Sequence, residues 1–475
     1  MDGVSFKTIT HGIETGILPV MSRLARDGHT TKMQSHYLPH TPESIGCFIT
    51  GKNPGKTGLF GWYTYQNATR RLVSSEDLGF PFWDYLALPL VIIGLPLTYP
   101  AKPLNGALVA SAHFSPSLTH FAFPENLAET AKEYGYVPPE IAISTTSDIL
   151  RVTGRNLLAQ EKLANYLIAS TSWKLAIVYF QQTDIISHAL GMVSSAASEE
   201  SFQTFLIEVV LRQIDEWLGQ VLQLLENDVD VILFSDHGQG LYDYSVNLSA
   251  LLEQLGLATR EGTSGLTSQS VFGTSRSTES KMPLFVSHNG DIRVGLLISE
   301  HMRNDLSFKT FAKAKLEEAL YALKDPSGKP LVRHFKTSEQ IYHGQRVHEG
   351  PDFLVEFDDK ARESADFDTP CMKKRGFGHK VEGFMVASLH DTDTPTGIYP
   401  DVSYRTYDLA ATVLALFGIT TPDDFDGRPL AGVTKTHGRY VTPLRDRLKE
   451  VTEKRGLTRE EEERILQRLR QLGYV

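Results

Sequence analysis

Residues 229–234 form a mostly apolar run, Val-Asp-Val-Ile-Leu-Phe, that leads directly into Ser235-Asp236-His237-Gly238. A short run rich in β-branched and aliphatic residues predicts a strand that is buried on both faces of a sheet. Ligands of open α/β sheets bind beyond the carboxyl ends of strands, which is where Asp236 and His237 stand. Such a pair is also typical of an ordinary helix cap, so the rest of the chain has to decide between the two interpretations.

A second buried strand is predicted at residues 174–180, and Asp184 and His188 follow it. Their four-residue spacing places both side chains on one face of a helical turn. Residues 41–50 predict a helix with Thr41 as its N-cap. Buried strands that alternate with helices in this way predict an α/β fold.

The chain totals exclude several classes of protein. A formal net charge of −10 over 475 residues favours neither nucleic acid nor an anionic membrane surface as a partner. Two cysteines are too few for a disulfide framework, and residues 1–7 have no signal-peptide pattern, so we expect a cytoplasmic protein. The most apolar segment, residues 86–97, is too short to span a bilayer and contains prolines, so we expect no transmembrane segment.

The domain organisation is expected to be a catalytic core with an insertion. Residues 285–350 predict a small α+β insertion or cap subdomain, and residues 1–284 and 351–475 predict the core. Half of residues 261–280 are Ser or Thr, which is typical of a surface loop. Residues 458–472 predict a charged helix that presents a solvated face.

Three other segments carry distinct sequence patterns. Residues 200–226 predict a long amphipathic helix, and no strand is predicted before Asp2. Residues 50–58 look like a phosphate-binding P-loop, but they follow a helix instead of a strand and begin with Thr instead of Gly. A P-loop is therefore not expected here.

Acidic and imidazole side chains recur at four places that could meet in the fold. Beside the two pairs already described, Asp2-Gly3 begins the chain and His379 is predicted in a Gly-flanked turn. Asp and His without Cys suit a divalent ion such as zinc or manganese. Each motif alone also has an ordinary structural explanation, and only their ordered combination indicates a site.

That combination resembles the type I phosphodiesterase/nucleotide pyrophosphatase family of the alkaline phosphatase superfamily, over nearly the whole chain. The segments that carry the resemblance are Asp2-Gly3, His40-Thr41-Pro42 with Phe48-Ile-Thr-Gly51, Pro54-Gly-Lys-Thr-Gly58, Asp184-x-x-x-His188, Ser235-Asp-His-Gly238, Gly378-His379-x-x-x-Gly383, Tyr407-Asp-Leu and the residues after it, and Asp426-Gly-Arg-Pro-Leu430.

The resemblance implies a central, mostly parallel sheet flanked by helices, with the family's first strand apparently missing here. It also implies two divalent metal ions, zinc or else manganese, and a phospho-threonine intermediate in the hydrolysis of a phosphodiester or pyrophosphate bond. The implied ligands are Asp184, His188 and His379 for one ion, and Asp2, Asp236, His237 and Thr41 for the other, with Thr41 also the nucleophile.

The expected partner is a small phosphorylated substrate, with Trp62 and Tyr63 as candidate contacts to it. Thr57 stands where the family usually has a His, and no Asn follows it, which weakens a nucleotide as the substrate. A phosphomonoesterase of the same superfamily remains an alternative. So does a non-catalytic binding or regulatory protein that retains the fold. Sulfatases fit poorly, because they need Cys or Ser at the position of Thr41.

Overall fold

The computed structural model describes residues 1–66, 69–139, 145–193, 198–225, 229–258, 284–287, 291–364, 369–433 and 457–471, and the predicted loop at 261–280 lies outside them. The helices are α1 (Phe6–Glu14), α2 (Pro19–Asp27), α3 (Thr41–Thr50), α4 (Pro54–Thr57), α5 (Leu127–Glu133), α6 (Thr146–Ser170), α7 (Gln182–Val193), α8 (Glu199–Leu206), α9 (Arg212–Leu224), α10 (Leu248–Gln254), α11 (Leu306–Ala322), α12 (Thr406–Leu416) and α13 (Arg459–Gln471).

The strands are β1 (His29–Gln34), β2 (Tyr63–Gln66), β3 (Thr69–Leu72), β4 (Leu90–Ile93), β5 (Gly106–Val109), β6 (Ala122–Phe123), β7 (Leu175–Val178), β8 (Val231–Phe234), β9 (Gly238–Tyr242), β10 (Tyr244–Val246), β11 (Leu284–Val286), β12 (Arg293–Ile298), β13 (Val332–Thr337), β14 (Phe353–Phe357), β15 (Ala361–Glu363), β16 (Cys371–Met372), β17 (Gly376–Lys380), β18 (Glu382–Ser388) and β19 (Gly397–Arg405).

Two four-stranded sheets share one large hydrophobic core with the helices around them. One sheet has the order β6-β5-β4-β7, and β4 runs parallel to both β5 and β7. The other has the order β19-β1-β18-β8, with β18 antiparallel to both of its neighbours. The predicted α/β class is confirmed, and both sheets are mixed: parallel pairs predominate in the first sheet and antiparallel pairs in the second.

The strand that leads into Ser235 is less buried than the sequence predicts. All four side chains of β8 are partly exposed, as are those of β7. Each strand is the last of its sheet, so in the described part of the chain it has a strand partner on one side only. Residues 1–5 precede α1 without forming a strand, and they meet the carboxyl ends of both β7 and β8.

The helices that carry the candidate residues form where the sequence predicts them. Helix α3 has the predicted bounds, Thr41–Thr50, and it ends at Gly51, whose φ of 68° suits a residue without a side chain. Residues 200–226 form two helices, α8 and α9, joined by the π-helical turn Ile207–Leu211. That turn interrupts the single long helix that the periodicity predicts.

A second hydrophobic core surrounds the antiparallel sheet β11-β12-β14-β13 and helix α11. This core extends from Tyr242 to Ala361, so it includes segments on both sides of the predicted insertion at 285–350. The division into a catalytic core and an insertion therefore stays a prediction, and the packing suggests wider bounds for the insertion.

Helix α13 is confirmed, but its solvated character is only partly correct. Ile465, Arg468 and Leu469 are buried on one face, although the helix begins with a run of glutamates. The Nη1 and Nη2 groups of Arg468 donate to four backbone carbonyls, which offsets part of the cost of burying this cation. None of the helices in the described ranges is long and apolar enough to cross a membrane.

Candidate functional site

The structure brings together all seven of the predicted metal ligands at the carboxyl ends of β7 and β8. Asp184 and His188 lie on the first turns of α7, directly after β7. Asp236 and His237 follow β8. The ring of His237 contacts the ring of His379 with 4.4 Å between centroids, which joins the two halves of the site. The remaining two ligands are Asp2 and Thr41, which lie beside His237.

Three possible ligand atoms form a nearly equilateral triangle. Thr41 Oγ1 lies 3.3 Å from Asp2 Oδ1 and 3.3 Å from His237 Nε2. The last two atoms are also 3.3 Å apart. A tetrahedral zinc ion with bonds of about 2.0–2.1 Å requires ligand atoms roughly 3.3 Å apart. The spacing of these side chains therefore fits a bound divalent ion.

The charges of the half of the site that contains Asp2, Asp236 and His237 also favour a bound cation. Burial, with the nearby charge of Asp2, raises the pKa of Asp236 to about 6. Burial and the charge of Asp184 raise the pKa of Asp2 as well. Burial alone would lower the pKa of His237, but Asp236 and Asp2 outweigh it and raise this pKa to about 10. These buried groups require a positive charge among them, which a proton supplies in the absence of metal and a divalent ion supplies when bound.

Two buried oxygens support the same interpretation. In the part of the chain that the structure describes, Asp2 Oδ2 and Asp236 Oδ2 accept no hydrogen bond. Both side chains are fully buried. A buried carboxylate oxygen without a donor is costly, and metal coordination is a standard way to satisfy it.

The second half of the site is formed by Asp184, His188 and His379. The Nε2 atoms of the two imidazoles are 2.9 Å apart. Asp184 Oδ2 lies 3.5 Å from His188, and Asp184 Oδ1 lies 3.7 Å from His379. The predicted turn at His379 is wrong: this residue lies in β17, where it pairs with Gln239 of β9. The side-chain amide of Gln239 donates to Asp184 Oδ1.

Backbone hydrogen bonds hold Asp2 firmly in place. Its N–H donates to Phe180 O, at 2.9 Å, and its carbonyl accepts from the Thr183 hydroxyl. The next residues are fixed to the segment after β8: Val4 N–H donates to Ser235 Oγ at 2.8 Å. The Ser235 hydroxyl in turn donates to His237 O. The serine of the Ser-Asp-His-Gly motif thus ties the start of the chain to the site.

Gly3 is required both by its backbone conformation and by the space around it. Its φ of 67° lies in the left-handed region, and a Cβ atom at this position would lie 2.5 Å from Asp184 Oδ1. A side chain at this position would therefore collide with a candidate metal ligand. This explains why Gly follows Asp2.

Thr41 is the first residue of α3, and the prediction that it is the N-cap is wrong. The N-cap is His40, whose backbone is extended and whose side chain makes no capping hydrogen bond. The His40 ring turns instead to Asp291, with Nε2 2.8 Å from Oδ2. The Thr41 hydroxyl lies beside Asp2 and His237 in the candidate metal site, and the His40 side chain makes no hydrogen bond to the amino end of α3.

Sequence reasoning missed Asp291, His40 and Gln239. The carboxylate of Asp291 is buried between His40 and His379, and the close approach of those two imidazoles holds its pKa well below the usual range despite burial. Asp291 lies just before β12 and belongs to no motif that the sequence displays. Its only signal was an acidic residue directly before an apolar strand.

Trp62 and Tyr63 lie in a different cluster from the seven ligands. The Trp62 ring packs on Phe114 with 4.4 Å between centroids, and Ile465 of α13 belongs to the same small core. Tyr63 is partly buried against this core. Their role as substrate contacts stays a prediction.

Among the residues that the structure describes, three groups of side chains have the geometry to hold a metal ion. They are Asp2, Asp236 and His237; Asp184, His237 and His379; and His40, Asp291 and His379. The first two contain five of the predicted ligands. The third contains His40 and Asp291, to which the sequence assigned no ligand role.

Solved structures of the alkaline phosphatase superfamily share this fold. Phosphonoacetate hydrolase from Sinorhizobium meliloti 1021 matches at TM-score 0.52 and 13% identity, over 86% of this chain and 92% of the hydrolase. Murine ectonucleotide pyrophosphatase/phosphodiesterase 5 matches at 0.52 and 11%, over 91% and 95% of the two chains. A variant of alkaline phosphatase PafA matches at 0.55 and 13%, over 92% and 98%. At these identities the likeness shows the fold.

No curated protein matches the sequence of this chain. The model of the family described as type I phosphodiesterase/nucleotide pyrophosphatase, however, matches residues 1–296, which is more than half of the 475 residues. This match shows that the chain belongs to the type I phosphodiesterase/nucleotide pyrophosphatase family and is a hydrolase of phosphoric ester bonds.

Proposed function

We propose that this chain is a two-metal phosphohydrolase that cleaves phosphodiester or pyrophosphate bonds of small substrates, with Thr41 as the nucleophile. One observation carries the proposal: Thr41 Oγ1 lies 3.3 Å from both Asp2 Oδ1 and His237 Nε2, inside a buried cluster that requires a cation. The Thr41 hydroxyl therefore lies among proposed metal ligands and at the amino end of helix α3.

The residues would hold two ions, for which we propose zinc, with manganese as the alternative. A divalent ion held there would lower the pKa of the Thr41 hydroxyl and make it a competent nucleophile at neutral pH. The proposed ligands are Asp2, Thr41, Asp236 and His237 for one ion, and Asp184, His188 and His379 for the other.

The reaction proceeds in two displacements. Thr41 Oγ1 attacks phosphorus and expels the leaving group as an alcohol or a phosphate, which leaves a phospho-threonine. Water then attacks the same phosphorus and releases Thr41. The amino end of α3 faces this centre, and its amides and dipole favour a phosphate beside Thr41.

Two structural relatives bear on the nucleophile and on the kind of substrate. A Thr→Ala variant of murine ectonucleotide pyrophosphatase/phosphodiesterase 5 is described as inactive and was solved with AMP. The Sinorhizobium meliloti enzyme was solved with phosphonoacetate. We therefore propose the threonine mechanism and a phosphorylated small molecule as substrate, with Trp62 and Tyr63 as proposed contacts to the leaving group. Both cysteines are free thiols, and the cytoplasm stays the proposed location.

A parallel assay tests the proposal. The metal-free protein is supplied with zinc or with manganese and given an aryl phosphate diester, an aryl phosphate monoester and a nucleotide with a pyrophosphate bond. We expect metal-dependent turnover with the diester or the pyrophosphate preferred. Preference for the monoester would replace the diesterase by a phosphatase. Two bound ions without any turnover would favour a binding protein that retains the fold.

A further inference from the structure

Asp291 connects the second core to both halves of the candidate site. Its carboxylate is almost fully buried. Oδ1 lies 2.9 Å from Nδ1 of His379, and Oδ2 lies 2.8 Å from Nε2 of His40. Each carboxylate oxygen thus pairs with a different imidazole, at the short distance that is typical of a charge-assisted contact between a ring nitrogen and an oxygen.

The carboxylate is itself fixed by backbone groups. The His379 N–H donates to Asp291 Oδ1, at 3.3 Å, so ring and backbone of this histidine meet the same oxygen. The carbonyl of Asp291 accepts from Glu363 N–H at 3.0 Å. The position of the carboxylate is therefore set by two strands, β15 and β17, and not by a mobile loop.

These contacts decide which nitrogen of His379 is offered to a metal ion. With Nδ1 turned to Asp291, the opposite nitrogen, Nε2, faces His188 Nε2 at 2.9 Å and Asp184 Oδ1 at 3.7 Å. A carboxylate on the far nitrogen of a metal-binding histidine fixes its tautomer and orientation, and its loss commonly weakens metal binding by about 10–100-fold.

The same carboxylate decides where His40 points. His40 is the N-cap residue of α3, and its ring is engaged by Asp291 instead of capping the helix. The residue directly before the nucleophile is thereby joined through one carboxylate to a ligand of the other half-site.

We propose that Asp291 is a positioning residue that orients the metal ligand His379 and, through His40, the amino end of the helix that carries Thr41. This inference rests on the proposed two-metal function. It assigns to the second core a part in the reaction, because Asp291 lies two residues before strand β12 of that core.

Cobalt titration of the metal-free protein tests the inference without requiring turnover. The unchanged chain, Asp291→Asn and Asp352→Asn are titrated with Co²⁺, and binding is followed by visible absorption and by equilibrium dialysis. Asp352 is the matched control: it is also buried and accepts from Ile298 N–H at 2.8 Å, but it pairs with Arg303 and Lys309 instead of with a candidate ligand.

We expect two Co²⁺ ions per unchanged chain. In Asp291→Asn one site should weaken by about 10–100-fold with an altered spectrum, and the other should be unaffected. Asp352→Asn should bind both ions as the unchanged chain does. Unaltered affinity and spectrum in Asp291→Asn would overturn the inference. So would a third ion in the unchanged chain that is lost in Asp291→Asn, since Asp291 would then be a ligand.

A second variant covers the case in which Asp291→Asn does not fold. His40→Ala leaves all seven proposed ligands of the two ions in place, so it should bind two Co²⁺ ions with nearly unchanged affinity. Its kcat on an aryl phosphate diester should fall about tenfold with KM changed less than threefold. A kcat equal to that of the unchanged chain would contradict the inference. Failure of the unchanged chain to bind any metal would instead refute the proposed function and the inference with it.

Discussion

The hydroxyl oxygen of Thr41 lies 3.3 Å from a carboxylate oxygen of Asp2, although Asp2 belongs to a segment that forms no strand or helix of its own. The contact is possible because both residues are fixed independently. Asp2 is bonded on its backbone to Phe180 and Thr183, and Thr41 starts a fully buried helix. The proposed metal site is therefore built on rigid supports.

Gly3→Ala should disturb the backbone segment that fixes Asp2 beside Asp184. The new methyl group would meet Asp184 Oδ1 at 2.5 Å and would occupy a backbone conformation with φ of 67°. We expect the free energy of unfolding to fall by about 1–3 kcal/mol and metal affinity to fall as well. Denaturant unfolding and Co²⁺ titration measure the two effects.

Gly16→Ala is the control for Gly3→Ala. Its φ is 70°, nearly the same, but a Cβ at Gly16 would meet no atom within 4 Å. It should show the cost of the backbone conformation alone, with metal affinity intact. Equal metal affinities in the two variants would refute the collision with Asp184.

The stability of the protein should depend on the protonation of Glu43. Burial raises the pKa of this carboxyl from 4.5 to about 8 in the folded chain. Because the folded pKa is the higher one, its stabilising contribution is complete below pH 4.5 and is lost as the pH rises towards 8. We expect a loss of about 2–4 kcal/mol from this group across that window.

Glu43→Gln isolates that dependence. The amide oxygen can still accept from the N–H groups of Tyr37 and Leu38, and the amide nitrogen can donate to the Tyr342 hydroxyl. The variant should gain stability relative to the unchanged chain as the pH rises from 4.5 to 8. Glu318→Gln, on the exposed face of α11, controls for the substitution itself. Parallel pH profiles for Glu43→Gln and the unchanged chain would show that Glu43 does not titrate in this range.

Arg468 should be the residue that fastens helix α13 to the core. Its guanidinium donates to the carbonyls of Ala112, His113, Ser115 and Pro139. Arg468→Met leaves these carbonyls without their donor, so we expect a loss of about 2–4 kcal/mol in the free energy of unfolding. Arg464→Met removes only an exposed pair with Glu460 and should cost less than about 0.5 kcal/mol. Similar losses in both variants would contradict this account of α13.

Removal of bound metal should lower the free energy of unfolding, by an amount that depends on how many sites were occupied. At a free zinc concentration of about 100 times Kd, each occupied site adds roughly 2.7 kcal/mol to the free energy of unfolding. Thermal unfolding of the unchanged chain with zinc and with a chelator measures this difference. Asp236→Asn should lose part of the zinc-dependent shift, and an undiminished shift would exclude Asp236 as a ligand.

The sequence was a good guide to elements with local signals. The bounds of α3 follow from Pro42 near its start and Gly51 after its end. The common face of Asp184 and His188 follows from their spacing on α7. Such features depend on neighbours within a turn, so one sequence is enough to predict them.

Features that depend on distant pairing could not be predicted in the same way. His379 lies in a strand instead of a turn because it pairs with Gln239. The His40 ring engages Asp291 instead of capping α3, and that contact joins residues about 250 positions apart. β8 is partly exposed because it ends its sheet. None of these partners is indicated by a local motif.

The turnover of Thr41→Ala, measured on a preparation whose metal content is known, tests the central claim most directly. With zinc supplied, this variant should retain most of its bound metal and lose kcat by about a thousandfold or more, because it lacks the attacking oxygen. Thr41→Ser, which keeps a hydroxyl, should retain substantial turnover. Undiminished turnover in Thr41→Ala would show that another group attacks phosphorus, and the proposed mechanism would be wrong.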